Sequence, residues 1–226
     1  MNKKIKMFII CIVFALIISC KNDVNGKALE TSEQSLEIPK QIEQEIKKEF
    51  NGLLNLLETK NLSQLDEKDT KDIEKIIQEL KNTIDKLEAK KTSLTTYSEY
   101  EKKVQEIREK LKDKLKDKGD LENKLKELEE SLKKKKDERK QALQDAKQKF
   151  EELKKQVEGT TGVTRGEQVR GQGTVGSQAW QYANSLGFKN IASSSGSDTS
   201  NMTKEIIKNS LEKIEEELKN TVEEAK

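Results

Sequence analysis

The chain has 226 residues, 38% of them charged, 32% hydrophobic and 4% aromatic, with a formal net charge of +2. Rich in Glu, Lys and Leu and holding one proline, it fits long helices better than a thick globular core. The absence of histidine removes an imidazole base, His metal ligands and a neutral-pH switch, and the near-balanced charge gives no general pull toward nucleic acid.

Residues 1–20 read MNKKIKMFIICIVFALIISC. Lys3, Lys4 and Lys6 precede an apolar run from Met7 to Ile18, too short to span a bilayer comfortably and shaped like an export signal. Its end, Ile17-Ile18-Ser19-Cys20, resembles the bacterial lipobox. The resemblance implies cleavage between Ser19 and Cys20, diacylglycerol on the Cys20 sulfur and an acylated new amino group. The other reading is an ordinary secretory peptide with a chance cysteine. Cleavage removes three of the 44 basic residues, leaving 41 against 42 acidic ones. It also removes Cys11, so Cys20, committed to lipid, leaves no disulfide in an exported chain. Each buried CH₂ of an acyl chain contributes about 0.8 kcal/mol to anchorage.

Lys21 to Glu37 is polar without a sustained apolar period and reads as a flexible tether. Pro39 suits the first turn of a helix, whose face Ile42, Ile46, Phe50, Leu53, Leu54 and Leu57 runs to Glu58. After a connection from Asn61 to Asp69, the stripe Ile73, Ile76, Ile77, Leu80, Ile84 and Leu87 predicts a second helix. Thr92 to Thr96 reads as a turn, and Ser98 with Glu101 as a capping box opening a third helix on Tyr97, Tyr100, Val104, Ile107 and Leu111.

Gly119-Asp120 admits two readings. A helix-ending glycine before an N-capping aspartate makes a hairpin, yet the apolar register runs in phase from Val104 and Ile107 to Leu121 and Leu125, as in one continuous helix. From Asp120 to Glu158 there is neither proline nor glycine, so the segment predicts a helix about 58 Å long. Leu121, Leu125, Leu128 and Leu132 form a seam, which vanishes across residues 133–141, KKKKDERKQ. That stretch holds Lys133, Lys134, Lys135, Lys136, Arg139 and Lys140 against Asp137 and Glu138. It reads either as solvated helix surface or as an anion site, with Lys133, Lys136 and Lys140 on one face. A hairpin at Gly119 would bring residues whose numbers sum to about 239 side by side, setting Arg139 over the Tyr100 ring.

Gly159 to Asn201 holds most of the chain's eleven glycines and reads mainly as loop. A short helix is expected from Ser177 to Leu186, ended by Gly187, with Trp180 and Phe188 either pinning the loop to the bundle or, for Trp180, forming a partner-binding hot spot. Ile207, Leu211, Ile214, Leu218 and Val222 mark a last helix.

Enzymatic signals are nearly absent. The glycines lack both phosphate-loop and dinucleotide spacing, the acidic residues interleave with lysines as on solvated helix faces, and no nucleophile stands with a base. The expectation is a non-enzymatic chain without cofactor or metal. The segments are a signal peptide over 1–19, a lipidated tether over 20–38, long helices over 39–158, a Gly/Ser-rich loop over 159–200 and a terminal helix over 201–226. The fold class is all-α, an elongated antiparallel bundle of coiled-coil-like helices.

The stretches MNKKIKMFIICIVFALIISCKN, LLETKNLSQLDEKDTKDIEK, KKTSLTTYSEYE, SLKKKKDERKQAL and VGSQAWQYANSLGFKN are similar to the outer surface protein F and Erp lipoprotein family of Lyme-disease spirochetes. Two departures stand out: Tyr182 occupies a position associated with cysteine in the family, and KLKDKLKDKGD is longer than usual. The resemblance implies a surface-exposed, lipid-anchored protein of the outer membrane, expressed during mammalian infection, whose relatives bind heparan sulfate and adhere to host cells. It supplies no binding residues. Lys133, Lys134, Lys136, Arg139 and Lys140 are therefore assigned to glycosaminoglycan on charge alone, and nucleic acid is not an expected partner. The alternative is a surface coat serving immune evasion, recruiting a host plasma protein through the Trp180 segment.

Overall fold

The computed structural model describes residues 31–60, 62, 65–115, 119–158, 170–192 and 199–223. Regular structure among them is helical throughout: α1 (Thr31–Thr59), α2 (Glu67–Asp85), α3 (Leu94–Leu115), α4 (Gly119–Glu158), α5 (Arg170–Ser185) and α6 (Thr199–Glu223). The all-α bundle expected from periodicity is what the chain adopts. Residues Glu37–Lys226 form one compact unit; of the preceding unit, Met1–Leu36, residues 31–36 are described and are helical. Cys20, the expected cleavage site before it and residues 21–30 of the expected tether lie outside the described residues.

Cross-helix contacts fix the directions of the first four helices. Lys103 reaches Asn51 at 2.9 Å and Lys110 reaches Glu58 at 3.3 Å, both 52 residues apart, so α1 and α3 run parallel. Lys124 meets Gln78 at 2.7 Å and Ser131 meets Asp85, both 46 apart, so α2 and α4 also run parallel. Arg108 with Glu129, and Lys136 with Glu101, each sum to 237, so α3 and α4 are antiparallel and within two of the expected register. Glu49 accepts from Thr83 at 3.3 Å while Lys60 meets Asp69, which makes α1 and α2 antiparallel. Two helical hairpins thus stand side by side as a four-helix square. Their core joins Phe50, Leu53, Ile77, Leu80, Tyr100, Ile107, Leu125 and Leu132.

A second, separate core gathers Leu143, Phe150, Leu153 and Val157 of α4 with Ala179 and Ala183 of α5 and Ile207 and Ile214 of α6, plus Leu94. Helix α4 is the spine of both. Residues 125, 132, 139, 146 and 153 stay inward along its whole length, while their companions move from 121 and 128 to 143, 150 and 157. That one-residue change of register turns the apolar face from α2 and α3 toward α5 and α6.

Several helix ends differ from the sequence reading. α3 opens at Leu94, capped by Ser93, whose Oγ accepts from the Thr96 amide at 3.1 Å. Ser98 instead sits buried inside the helix, and Glu101 is occupied by Lys136. α1 begins at Thr31, so Pro39 lies within it rather than in its first turn, and residues 31–37 of the expected tether are helical. α5 starts at Arg170, seven residues before the expected Ser177. Glycine is intrinsically poor in helices, so its density hid that helix, but Gly176 has a packing reason. A Cβ there would stand 2.5 Å from Thr203 Oγ1, so any larger residue would force the buried Thr203 side chain to move where α5 crosses α6.

The end of α5 matches the sequence. Gly187 takes φ +75°, and Phe188 N–H donates to Ala183 O at 3.0 Å while Gly187 N–H donates to Asn184 O at 2.9 Å, a Schellman closure. A Cβ on Gly187 would also press on Lys91 O at 3.0 Å. Gly187→Ala is expected to destabilise the fold by about 1–2 kcal/mol, read as a lower urea midpoint; an unchanged midpoint would contradict this backbone role.

Candidate functional site

The basic run of α4 lies where the two cores meet, and three helix ends crowd against it there, those of α2 and α5 and the start of α3. A helix C-terminus presents carbonyls without intrahelical partners, and its N-terminus presents amides. The run supplies donors to the two carbonyl ends, and Glu217 of α6 supplies an acceptor to the amide end. Lys135 Nζ donates to Asp85 O at 2.9 Å and Leu87 O at 2.7 Å, closing the end of α2. Arg139 donates to Leu186 O at 2.8 Å, closing the end of α5, and to Lys90 O in the turn before α3. Glu217 of α6 accepts from the Leu94 amide at 2.7 Å, at the start of α3. Cations meet carbonyl ends and a carboxylate meets an amide end, the arrangement the helix dipole favours.

Arg139 is the centre of this layer. It is 2% exposed. Its guanidinium makes a two-pronged pair with Glu217, Nε to Oε1 at 2.9 Å and Nη2 to Oε2 at 2.7 Å. Its charge lies 5.6 Å from the centroid of the Phe188 ring. The expected stacking on Tyr100 is thereby corrected: the ring beneath Arg139 is Phe188, delivered by the turn at Gly187, while Tyr100 packs on Phe50 at 5.5 Å. Nearby, burial pushes the Tyr97 phenol up to about 12, opposed by Thr92 and by the charge of Arg139.

Of the five residues assigned to an anion, the structure withdraws Arg139, which is buried and consumed internally. Lys136 is half-buried in an ion pair with Glu101 at 2.5 Å. Lys133 and Lys134 are exposed and Lys140 half-buried, and none of these three forms an ion pair among the described residues. They do not form one ladder. Lys133 and Lys140 share the flank toward α3, whereas Lys134 borders an open cleft of about 620 Å³ with Asp85, Glu127, Glu130 and Glu138. Sequence reasoning missed Lys135 and Glu217. Lys135 falls one heptad after Leu128 and so was due at the interface, but Glu217 is 78 residues from Arg139 and carries no local signal.

A different surface is apolar. Trp180 is 50% exposed, Met202 39% and Tyr182 37%. Trp180 therefore does not pin its segment; Phe188, Ala179 and Ala183 do so from inside the second core. Tyr182 leans edge-on to Phe150 at 5.9 Å and keeps its other side open.

Among the described residues no group of His, Cys, Asp or Glu is placed to hold a metal ion, and no helix is long and apolar enough to cross a membrane. No protein-family model, curated protein or solved structure matches the chain.

Proposed function

We propose that the chain is a lipid-anchored binding protein of the spirochete outer surface, an adhesin for heparan sulfate-type glycosaminoglycan rather than an enzyme. The lipobox-like ending at Cys20 and the resemblance to the outer surface protein F and Erp lipoproteins support the location. The observation that carries the ligand is the set Lys133, Lys134 and Lys140, cations without an ion-pair partner among the described residues, on a rigid helix beside others that are fully used. Rigid presentation spares the ordering cost that flexible lysines would bring to a polyanion, and the release of bound counterions makes such binding salt-dependent.

Changing Lys133, Lys134 and Lys140 together to Gln is expected to lower the salt at which the protein leaves a heparin column and to flatten its salt dependence. Helicity should persist, because Gln forms helix nearly as well as Lys. Lys48, Lys68 and Lys75, exposed on α1 and α2, changed likewise serve as the control. Equal loss in both triples means diffuse attraction, and unchanged elution of the first triple removes the assignment.

The half-exposed Trp180 favours a second reading, recruitment of a host plasma protein through an aromatic anchor. Trp180 is the sole tryptophan, so its fluorescence separates the two. Heparin leaves its emission unchanged under the first reading, and a plasma protein that covers it shifts emission to the blue under the second.

A further inference from the structure

The first core is surrounded by four helices; the second by the upper half of α4, α5 and α6, closed at one end by Leu94 of α3. Along the open flank of α6 runs a second row at spacings of four and three, Lys204, Lys208, Leu211, Glu215 and Leu218, distinct from its buried row Thr203, Ile207, Ser210 and Ile214. Leu211 and Leu218 are only partly buried. With the last turn of α4 this row bounds a groove of about 530 Å³, floored by Val157, Ile207 and Leu211. Such alternation is what a helix shows when it packs on another helix, and among the described residues none lies there.

We propose that a second copy of this chain docks on this flank, α6 against α6, antiparallel across a two-fold axis at Leu211. Charge order selects the occupant. Lys204 and Lys208 precede Leu211, while Glu212 and Glu215 follow it. An antiparallel copy brings together residues whose numbers sum to about 422, because both helices rise equally per residue. Leu211 then meets Leu211, and Lys208 meets Glu215 twice, once on each side of the axis. A parallel copy would set Lys208 on Lys208 and Glu215 on Glu215, which repel. The pattern is self-complementary in one orientation, as a closed two-fold contact requires. The pairs these residues now make are exposed and exchangeable: Lys208 with Glu212 at 3.8 Å and Lys147 with Glu215 at 2.9 Å. From Lys204 to Leu218 the contact is about 21 Å long, short for a permanent interface, so the pair is reversible.

The test places a photo-crosslinking benzoylphenylalanine at position 211 of the full chain in membranes or detergent, with one at Lys75 on α2 as control. The expected product is a covalent dimer from position 211, joined within residues 204–218 of the other copy, and none from position 75. Lys208→Glu should cut the yield at least about tenfold by opposing Glu215, and Lys208→Glu with Glu215→Lys should restore it by exchanging both signs. A position-211 product joined only to a different protein, or none, overturns the proposal. So does a dimer indifferent to Lys208→Glu, or a double exchange that fails to restore it.

Discussion

Replacing Arg139 by leucine is expected to destabilise the fold by about 3–5 kcal/mol, the cost of breaking a buried ion pair from one side. Glu217 would be left only 12% exposed by side chain without its cation, and Leu186 O and Lys90 O would lose their donor. Buried acceptors without donors add their own desolvation cost. A like-sized apolar pair is different, because it removes both charges at once: Arg139→Leu with Glu217→Leu should recover much of the loss. Recovery should fall short of complete, since the Leu94 amide loses its acceptor. Urea unfolding of the four proteins closes the cycle. A single-variant loss under about 1 kcal/mol would mean that water readily substitutes at this layer.

Phe150→Ala is expected to cost about 3–5 kcal/mol through the cavity left by a fully buried ring. Its distribution is as informative as its size. Phe150 belongs to the second core alone, beside Tyr182. Amide hydrogen exchange should therefore quicken most in α5, α6 and the upper half of α4, leaving α2, α3 and the lower half close to wild type. Phe50→Ala, at the Tyr100 contact of the first core, should show the converse. Uniform loss of protection in both variants would mean that the two cores open as one.

The sequence carried the long helix almost to the residue, expected from Asp120 and found from Gly119 to Glu158, because seven-residue spacing and the lack of glycine and proline are local signals. It also held the answer for Arg139. Position 139 falls one heptad after Leu132 and one before Ala146, so the register already turned it inward. Charge composition argued for the outside, and register prevailed because helix ends on the neighbouring elements needed donors. Those neighbours were not legible: the carbonyl of Leu186, the carboxylate of Glu217 and the ring of Phe188 come from residues 47 to 78 positions away. The early start of α5 was hidden for a related reason. Gly176 reads as a breaker until Thr203 is known to lie against it.

The division of α4 between two cores bears on how the chain is made. Synthesis delivers the N-terminal side first, and domains tend to fold as they emerge. All partners of the lower half of α4, from Ile46 through Leu111, precede it in the chain, so the first core can close as soon as Leu132 appears. The upper half has the opposite timing. Leu143, Phe150 and Val157 emerge before Ala183, Ile207 and Ile214, and until α6 arrives they form an uncovered apolar stripe on a helix already held rigid at its base. That interval is when a holding chaperone has most to protect, and a chain cut short before Thr199 would be half finished and sticky at one end.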